Sequence, residues 1–287
     1  MKLLKTLKSC EDKSVNFVFD NMLEARFVRR TDDYFICYLS SHTGCNKACR
    51  FCHLTQTGQT EMEETTVVQY FEQARYVLEY YASTDNPAKR VNFNFMSRGE
   101  VLSNKTFLKE ANILLSALNG LAYEYNLEPQ YNLSTIMPAD FVGNLSELIQ
   151  NDFNHNYYYS LYSIDPDFRK RWLPKAMSVD KALEQFAEWQ EKTDRTLALH
   201  WTFIEGKNDS EEQVKAIMDK IESYRLKCKF NLVRYNPYSE KQGQESSDIV
   251  LQRNFDIIAS HMDSEGSRIV PRVGFDVKAS CGMFVSQ

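Results

Sequence analysis

The sequence predicts an α/β fold in which a parallel sheet is covered by crossover helices, and three observations carry that prediction. Short runs rich in Val, Ile, Phe and Tyr alternate with helical periods along most of the chain, the pattern of repeated βα units. Hydrophobic residues make up 43% and charged residues 25% of the 287 positions, a composition that suits a packed core and excludes disorder and collagen-like repeats. No Pro/Ser-rich linker, low-complexity tract or internal repeat interrupts the alternation, so one domain is preferred over two.

Taken in order, β-rich runs at 15–19, 23–28 and 34–39, with Thr31-Asp32-Asp33 as a turn signal, predict a hairpin entry. Residues 1–40 are assigned to this N-terminal β-hairpin extension and residues 41–287 to the core. A helix follows at 65–81, a strand at 91–96, a helix at 105–125, a strand near 131–134 and a helix at 140–150. The alternation continues with a strand at 157–162, a helix at 179–191, a strand at 197–203, a helix at 210–224, a strand at 228–233, a helix at 248–261 and a last strand at 268–273. The GQESS segment at 243–247 is the most linker-like stretch and is expected to form a flexible loop over the sheet's active edge. Periodicity alone does not separate an open doubly wound sheet from a full or partial barrel.

The 34 Lys+Arg against 39 Asp+Glu leave a net charge of −5. That balance gives no global attraction to phosphate, so a nucleic-acid contact needs a local basic patch. Arg26, Arg29 and Arg30 form one such patch; Arg169, Lys170, Arg171 and Lys175, interleaved with Phe168 and Trp172, form another. The mixture suits a flipped or single-stranded nucleotide, and equally a solvated helix face with one packed Trp. No apolar stretch approaches the roughly 18 residues of a spanning helix, and the start Met1-Lys2-Leu3-Leu4-Lys5 is too charged for a signal peptide. A cytoplasmic protein without a membrane partner is expected.

The seven cysteines, an odd number with no export signal, disfavour a disulfide framework and read as cofactor or catalytic thiols. Three of them, Cys45, Cys49 and Cys52, fall in GCNKACRFC as C-x3-C-x2-C, just after the strand at 34–39. Soft thiolates so spaced select zinc or an iron-sulfur cluster. A closed zinc site wants four ligands, and His42 or His53 would have to supply the fourth. Three cysteines with a vacancy otherwise describe a [4Fe-4S] cluster with one open iron.

This motif, with aromatic Phe51 before Cys52, resembles the radical S-adenosylmethionine (SAM) superfamily, and other segments resemble the RlmN and Cfr RNA methyltransferases within it. Ser40 to Cys45 (SSHTGC) is similar to their lead-in to the cluster, and Met96 to Asn104 (MSRGEVLSN) to their MGMGEPLLN, with Val101 replacing the proline. Leu133-Ser134-Thr135 resembles LSTSG, Ser160-Leu161-Tyr162 resembles SLH, Asn231 to Tyr238 (NLVRYNPY) resembles NLIPWNPF, and the tail around Cys281-Gly282 resembles GDDIDAACGQL. The match runs from about Leu23 to Phe284, and its shared order carries more weight than any fragment.

The resemblance implies a partial (βα)6 TIM-like barrel holding a [4Fe-4S] cluster on Cys45, Cys49 and Cys52. It implies SAM bound by Gly99 and Glu100 at its amino group, by Ser134, Ser160, Leu161 and Tyr162 at its carboxylate and ribose, and by Asn236 at its adenosyl moiety. It implies methyl transfer to an adenosine ring carbon, C2 rather than C8, of tRNA or rRNA, with a flavodoxin- or ferredoxin-type electron donor. In that scheme Cys281 is methylated, a radical formed from a second SAM takes hydrogen from the S-methyl group, the resulting carbon radical adds to adenine, and a second cysteine resolves the link by forming a disulfide.

Two departures bear on this. The family's second cysteine stands seven residues before the first cluster cysteine, a position held here by Tyr38; Cys37 is one residue further off. Either a bulge keeps Cys37 in place or the thiol is lost, because a slip of one residue turns a strand side chain to the other face. The preserved spacing from Glu24, which matches the family's upstream proton acceptor, favours Cys37. Fewer than forty residues precede the loop of Cys45, so the family's accessory RNA-binding domain is expected to be absent.

Overall fold

The computed structural model describes residues 1–263 and 265–286. Ten strands form one sheet in sequence order. Four of them, β1 (Leu3–Lys8), β2 (Val15–Phe19), β3 (Glu24–Arg29) and β4 (Tyr34–Tyr38), run antiparallel. From β4 onward every pairing is parallel, through β5 (Arg90–Phe95), β6 (Glu128–Thr135), β7 (His155–Tyr159), β8 (Leu197–Trp201), β9 (Cys228–Leu232) and the short β10 (Arg268–Ile269). β4 therefore belongs to both parts: it closes the antiparallel lead-in and opens the six parallel strands β4 to β9 of a partial barrel.

The strands alternate because the barrel has a wet inside and an oily outside. In β5, Val91, Phe93 and Phe95 are buried in the core, while Asn92 and Asn94 line the lumen. Asn132 of β6 donates to Asn94 at 2.7 Å and Asn156 of β7 donates to Asn132 at 3.3 Å, so the buried amides satisfy one another across strands. The helices cover the outer face. α2 (Val67–Ala82) is capped by Thr66 and Gln69 in a reciprocal box and buries Tyr70, Gln73, Ala74, Val77, Leu78 and Tyr81. α3 (Lys105–Glu124) starts at Asn104, whose side chain accepts from the Phe107 amide. α6 (Val179–Thr193), α7 (Glu211–Ser223) and α8 (Asp248–Ser260) each start after a capping serine.

Four expectations are corrected. β1 was not foreseen, because its exposed, lysine-bearing pattern is that of an edge strand rather than a half-buried one. The helix expected at 140–150 shrinks to α4 (Leu145–Leu148), since Gly143 at φ +144° and the capping Asn144 delay its start. The last strand stops at Ile269, where Pro271 soon removes the donor a longer ladder would need. The 243–247 segment is tied down: Glu245 bridges to Ile204, pairs with Arg234 at 2.6 Å and Arg272 at 3.2 Å, and Ser246 is buried. Two short helices, α1 (His53–Gln56) and α5 (Pro166–Trp172), went unread, although Asp165-Pro166 carries a cap followed by proline at the first helical position.

Candidate active site at the mouth of the barrel

The C-terminal ends of the parallel strands surround an open-mouthed cavity that runs into the lumen. Cys45, Cys49 and Cys52 all line it. Their loop is built to close tightly. Gly44 sits where a Cβ would lie 2.1 Å from the Glu61 carbonyl, the Cys45 amide donates to Gln59, and the Cys52 amide donates to Cys49 at 3.0 Å. Burial raises all three thiols, Cys45 to about 12, and their mutual repulsion adds to the rise at Cys45 and Cys49. They share one electrostatic environment that only a bound metal centre turns into thiolates.

Among the described residues, no three His, Cys, Asp or Glu side chains converge on a point fit for one metal ion. A zinc knob needs that convergence; an iron-sulfur cluster does not, because each thiolate binds a different iron. Neither histidine offered as a fourth zinc ligand lines the cavity with the three cysteines, and Nε2 of His53 meets the Asn236 carbonyl at 3.0 Å.

Next to the loop, Gly99 adopts φ +95° in a place where a Cβ would lie 2.4 Å from Oγ of Ser41. Glu100 follows, lining the cavity. Its carboxylate accepts from the amides of Leu102 at 3.2 Å and Ile136 at 3.1 Å, yet burial pushes its pKa up to about 7. A buried carboxylate held by amides, with Lys47 near it but no ion pair among the described residues, is suited to an incoming ammonium. Ser134 and Ser160 also line the cavity, and both hydroxyls meet Nε2 of His200, at 2.8 and 2.9 Å. Burial lowers His200 to about 4, so it meets them as the neutral imidazole. His200 was missed by sequence reasoning, although it occupies an inward position of the strand expected at 197–203. Tyr162, at φ +60°, lines the cavity with its ring stacked on Phe51 at 4.2 Å.

Three residues singled out in the sequence do not line the cavity. Leu161 lies in the hydrophobic core, where its carbonyl accepts from Arg169. Asn236 is turned to the C-terminal tail: its Nδ2 donates to Oγ of Ser280 at 3.1 Å and to the Cys281 carbonyl at 2.9 Å. Cys37 is fully buried among the outward-facing residues of β4, whereas Tyr38 lines the cavity. No bulge restores the register, since Cys37 pairs regularly with Phe27 and Phe93. The structure therefore does not bring Cys37 to Cys281.

Cys281 opens into the cavity, and the protein around it pushes its thiol up to about 11, with Cys52 adding to the rise and Arg26 and Arg30 opposing it. The tail that carries it is clamped. Arg26 donates to the Met283 carbonyl at 2.7 Å, the Phe284 ring lies 4.7 Å from the Arg26 guanidinium and 5.8 Å from that of Arg98, and the Val285 amide donates to Glu24 at 3.1 Å. Glu24 also accepts from Arg98 at 2.8 Å, Arg26 at 3.1 Å and Asn16 at 2.9 Å. So engaged, and absent from the cavity wall, it does not stand as the free proton acceptor expected of it.

The basic patches are likewise partly structural. Arg29 is spent on the carbonyls of Thr31, Asp32, Asn86 and Pro87, and Arg169 on those of Leu161, Ser163 and Met177.

No family model matches the chain. It is 25% identical over 289 residues to a probable dual-specificity RNA methyltransferase RlmN of Clostridium beijerinckii, a match covering 98% of this chain and 76% of the relative. It is 26% identical to the RlmN of Wolinella succinogenes, covering 88% of this chain and 66% of that one. The chain thus spans about two thirds to three quarters of the length of these relatives. Among solved structures, a radical SAM methyltransferase from Sphaerobacter thermophilus superposes with a TM-score of 0.81 over 98% of this chain and 80% of the other, at 17% identity.

The chain is RlmN-like. Its fold is that of the radical SAM methyltransferase barrel. The residues at the mouth of this RlmN-like barrel fit a [4Fe-4S] cluster and SAM: three thiols of one loop line the cavity, as a cluster taking one thiolate per iron needs, and Glu100 beside Gly99 suits the SAM amino group. Among the described residues no helix is long and apolar enough to cross a membrane.

Proposed function

We propose that the chain adds a methyl group to an adenosine ring carbon, C2 rather than C8, of tRNA or rRNA, with Cys281 carrying the methyl group and a flavodoxin- or ferredoxin-type protein donating electrons. The observation that supports this most is that Cys281 opens into the cavity lined by Cys45, Cys49, Cys52 and Glu100, on a tail clamped through Arg26 and Glu24. Bound there, the cluster and SAM would supply a one-electron cleavage that yields a hydrogen-abstracting carbon radical, together with a transferable methyl group. Cys45, Cys49 and Cys52 would hold the cluster, and Glu100, Gly99, Ser134, Ser160 and Tyr162 would orient SAM. Cys281 Sγ would act as the nucleophile, giving up its proton as the methyl arrives; Arg26 and Arg30 favour the developing thiolate. The boundary between extension and core is proposed at residue 40, two residues past β4.

Anaerobic incubation with SAM and a reductant, followed by peptide mass spectrometry, tests the reading: Cys281 gains a methyl group, and nucleoside analysis of RNA from cells with and without the protein differs by a methyladenosine. Tyr38 at the lumen position where the family keeps its second thiol favours a second reading, in which the same core acts on another substrate and Cys281 stays unmethylated.

A further inference from the structure

The cavity continues down the barrel, away from the cysteine loop, and changes character. Four residue steps, about 13 Å of chain, separate Tyr38 from Tyr34 at the opposite end of β4. Towards this lower end the lumen is lined by Arg30, Arg268, Tyr34 and Tyr158. Nη1 of Arg268 donates to the Tyr34 hydroxyl at 3.4 Å, tying β10 to β4 across the seam between the last and first parallel strands. Two further cations adjoin: the Arg90 guanidinium lies 4.8 Å from the Tyr34 ring centre, and Lys229 projects from β9 two residues before Asn231, which also lines the lumen.

In a chain of net charge −5 this concentration needs a cause. None of the four cations makes an ion pair among the described residues. The Nε atoms of Arg30 and Arg90 are buried and without a hydrogen-bond partner. Acidic groups do stand near the outer pair, Glu128 in register with Arg90 and Asp263 near Lys229. For Arg30 and Arg268, which line the lumen, no carboxylate lies within ion-pair distance. Two guanidiniums without a carboxylate partner among the described residues, one of them bonded to the Tyr34 hydroxyl, present forked N–H donors that suit the non-bridging oxygens of a phosphate ester.

The geometry points to a phosphate-binding subsite at this lower end of the lumen, with Arg30 and Arg268 as its donors, holding a phosphate ester of the nucleotide substrate. The inference rests on the adenosine reading for the identity of the ester, though not for the site itself. The phosphate belongs either to the reacting nucleotide or to its neighbour in a strand, and the two sources are separable by probe.

Binding of adenosine, AMP and the dinucleotide ApA to the cluster-loaded protein, by calorimetry at two salt concentrations, decides it, with SAM affinity as the control for folding. AMP or ApA should bind at least tenfold tighter than adenosine, and the gain should disappear in Arg268→Gln and Arg30→Gln while SAM affinity stays unchanged. A gain with AMP assigns the phosphate to the reacting nucleotide; a gain with ApA alone assigns it to the neighbour. Raising the salt should weaken AMP and ApA binding while leaving adenosine binding nearly unchanged, and this difference should shrink with each arginine removed. Equal binding of all three, or a gain that survives both substitutions, overturns the subsite. If no adenosine compound binds, titration with inorganic phosphate separates the two failures. Arg268-dependent binding keeps the subsite and removes the adenosine reading; no binding removes the subsite.

Discussion

Glu24 and Arg98 meet at 2.8 Å, with essentially no solvent access to either side chain. One arises in the antiparallel lead-in and the other between β5 and α3, and both touch the tail of Cys281, Glu24 through the Val285 amide and Arg98 through the Phe284 ring. Removing one partner of such a buried pair leaves an uncompensated charge, at a cost of about 3–5 kcal/mol. Arg98→Leu should therefore lower stability by that order in a denaturant titration. Glu24→Gln, which keeps the shape, should speed alkylation of Cys281 by releasing the tail. An unchanged alkylation rate in a folded Glu24→Gln protein would contradict the clamp.

Gly99 has no room for a side chain. A Cβ there meets Ser41 Oγ at 2.4 Å and His42 Nδ1 at 2.6 Å, on a backbone at φ +95°. Gly99→Ala should cost about 1–3 kcal/mol in strain and weaken SAM binding at least tenfold, with iron content retained.

Glu100 sets a pH dependence. Burial pushes its carboxyl up to about 7 from the ordinary 4.5. Binding an ammonium favours the ionised form, so SAM affinity should rise with pH through 7 and be about tenfold weaker at pH 6 than at pH 8. Proton release on binding should appear below pH 7 and vanish in Glu100→Gln. The sign for stability is opposite: the ligand-free protein loses stability as pH rises from 4.5 through 7, because ionising a desolvated carboxyl is unfavourable in the fold.

Cysteine replacements separate packing from chemistry. Cys45→Ala should lose iron and activity together. Cys281→Ala should keep the iron and the capacity to cleave SAM while losing methyl transfer. Cys37→Ala, in the packed outer layer, should cost about 1–2 kcal/mol without trapping a protein–substrate adduct. An adduct trapped in that variant would show that Cys37 reaches the cavity after all.

What the sequence made legible was whatever depends on local order. The C-x3-C-x2-C loop, the Gly99-Glu100 pair and the alternation of strands and helices are written in neighbouring residues, and the structure brings the loop and the pair to one cavity. The misreadings concern facing and partnership. Cys37 and Tyr38 differ by one position, which in a strand means opposite sides of the sheet, and spacing from Glu24 could not decide between them. Asn236 and Glu24 were read as ligand-facing and catalytic, yet both are turned to the tail some 45 and 261 residues away in the chain. His200 was passed over because a single histidine in a strand carries no motif, only an inward position.

The clamp on the tail has a consequence for how the enzyme is made. Domains assemble from the amino terminus while the chain is still emerging, so the cysteine loop at 45–52 is available long before the last residues leave the ribosome. The last of the bonds that seat the tail forms when Val285 reaches Glu24. A chain cut a few residues short would therefore leave Cys281, the methyl carrier proposed above, on a looser tail.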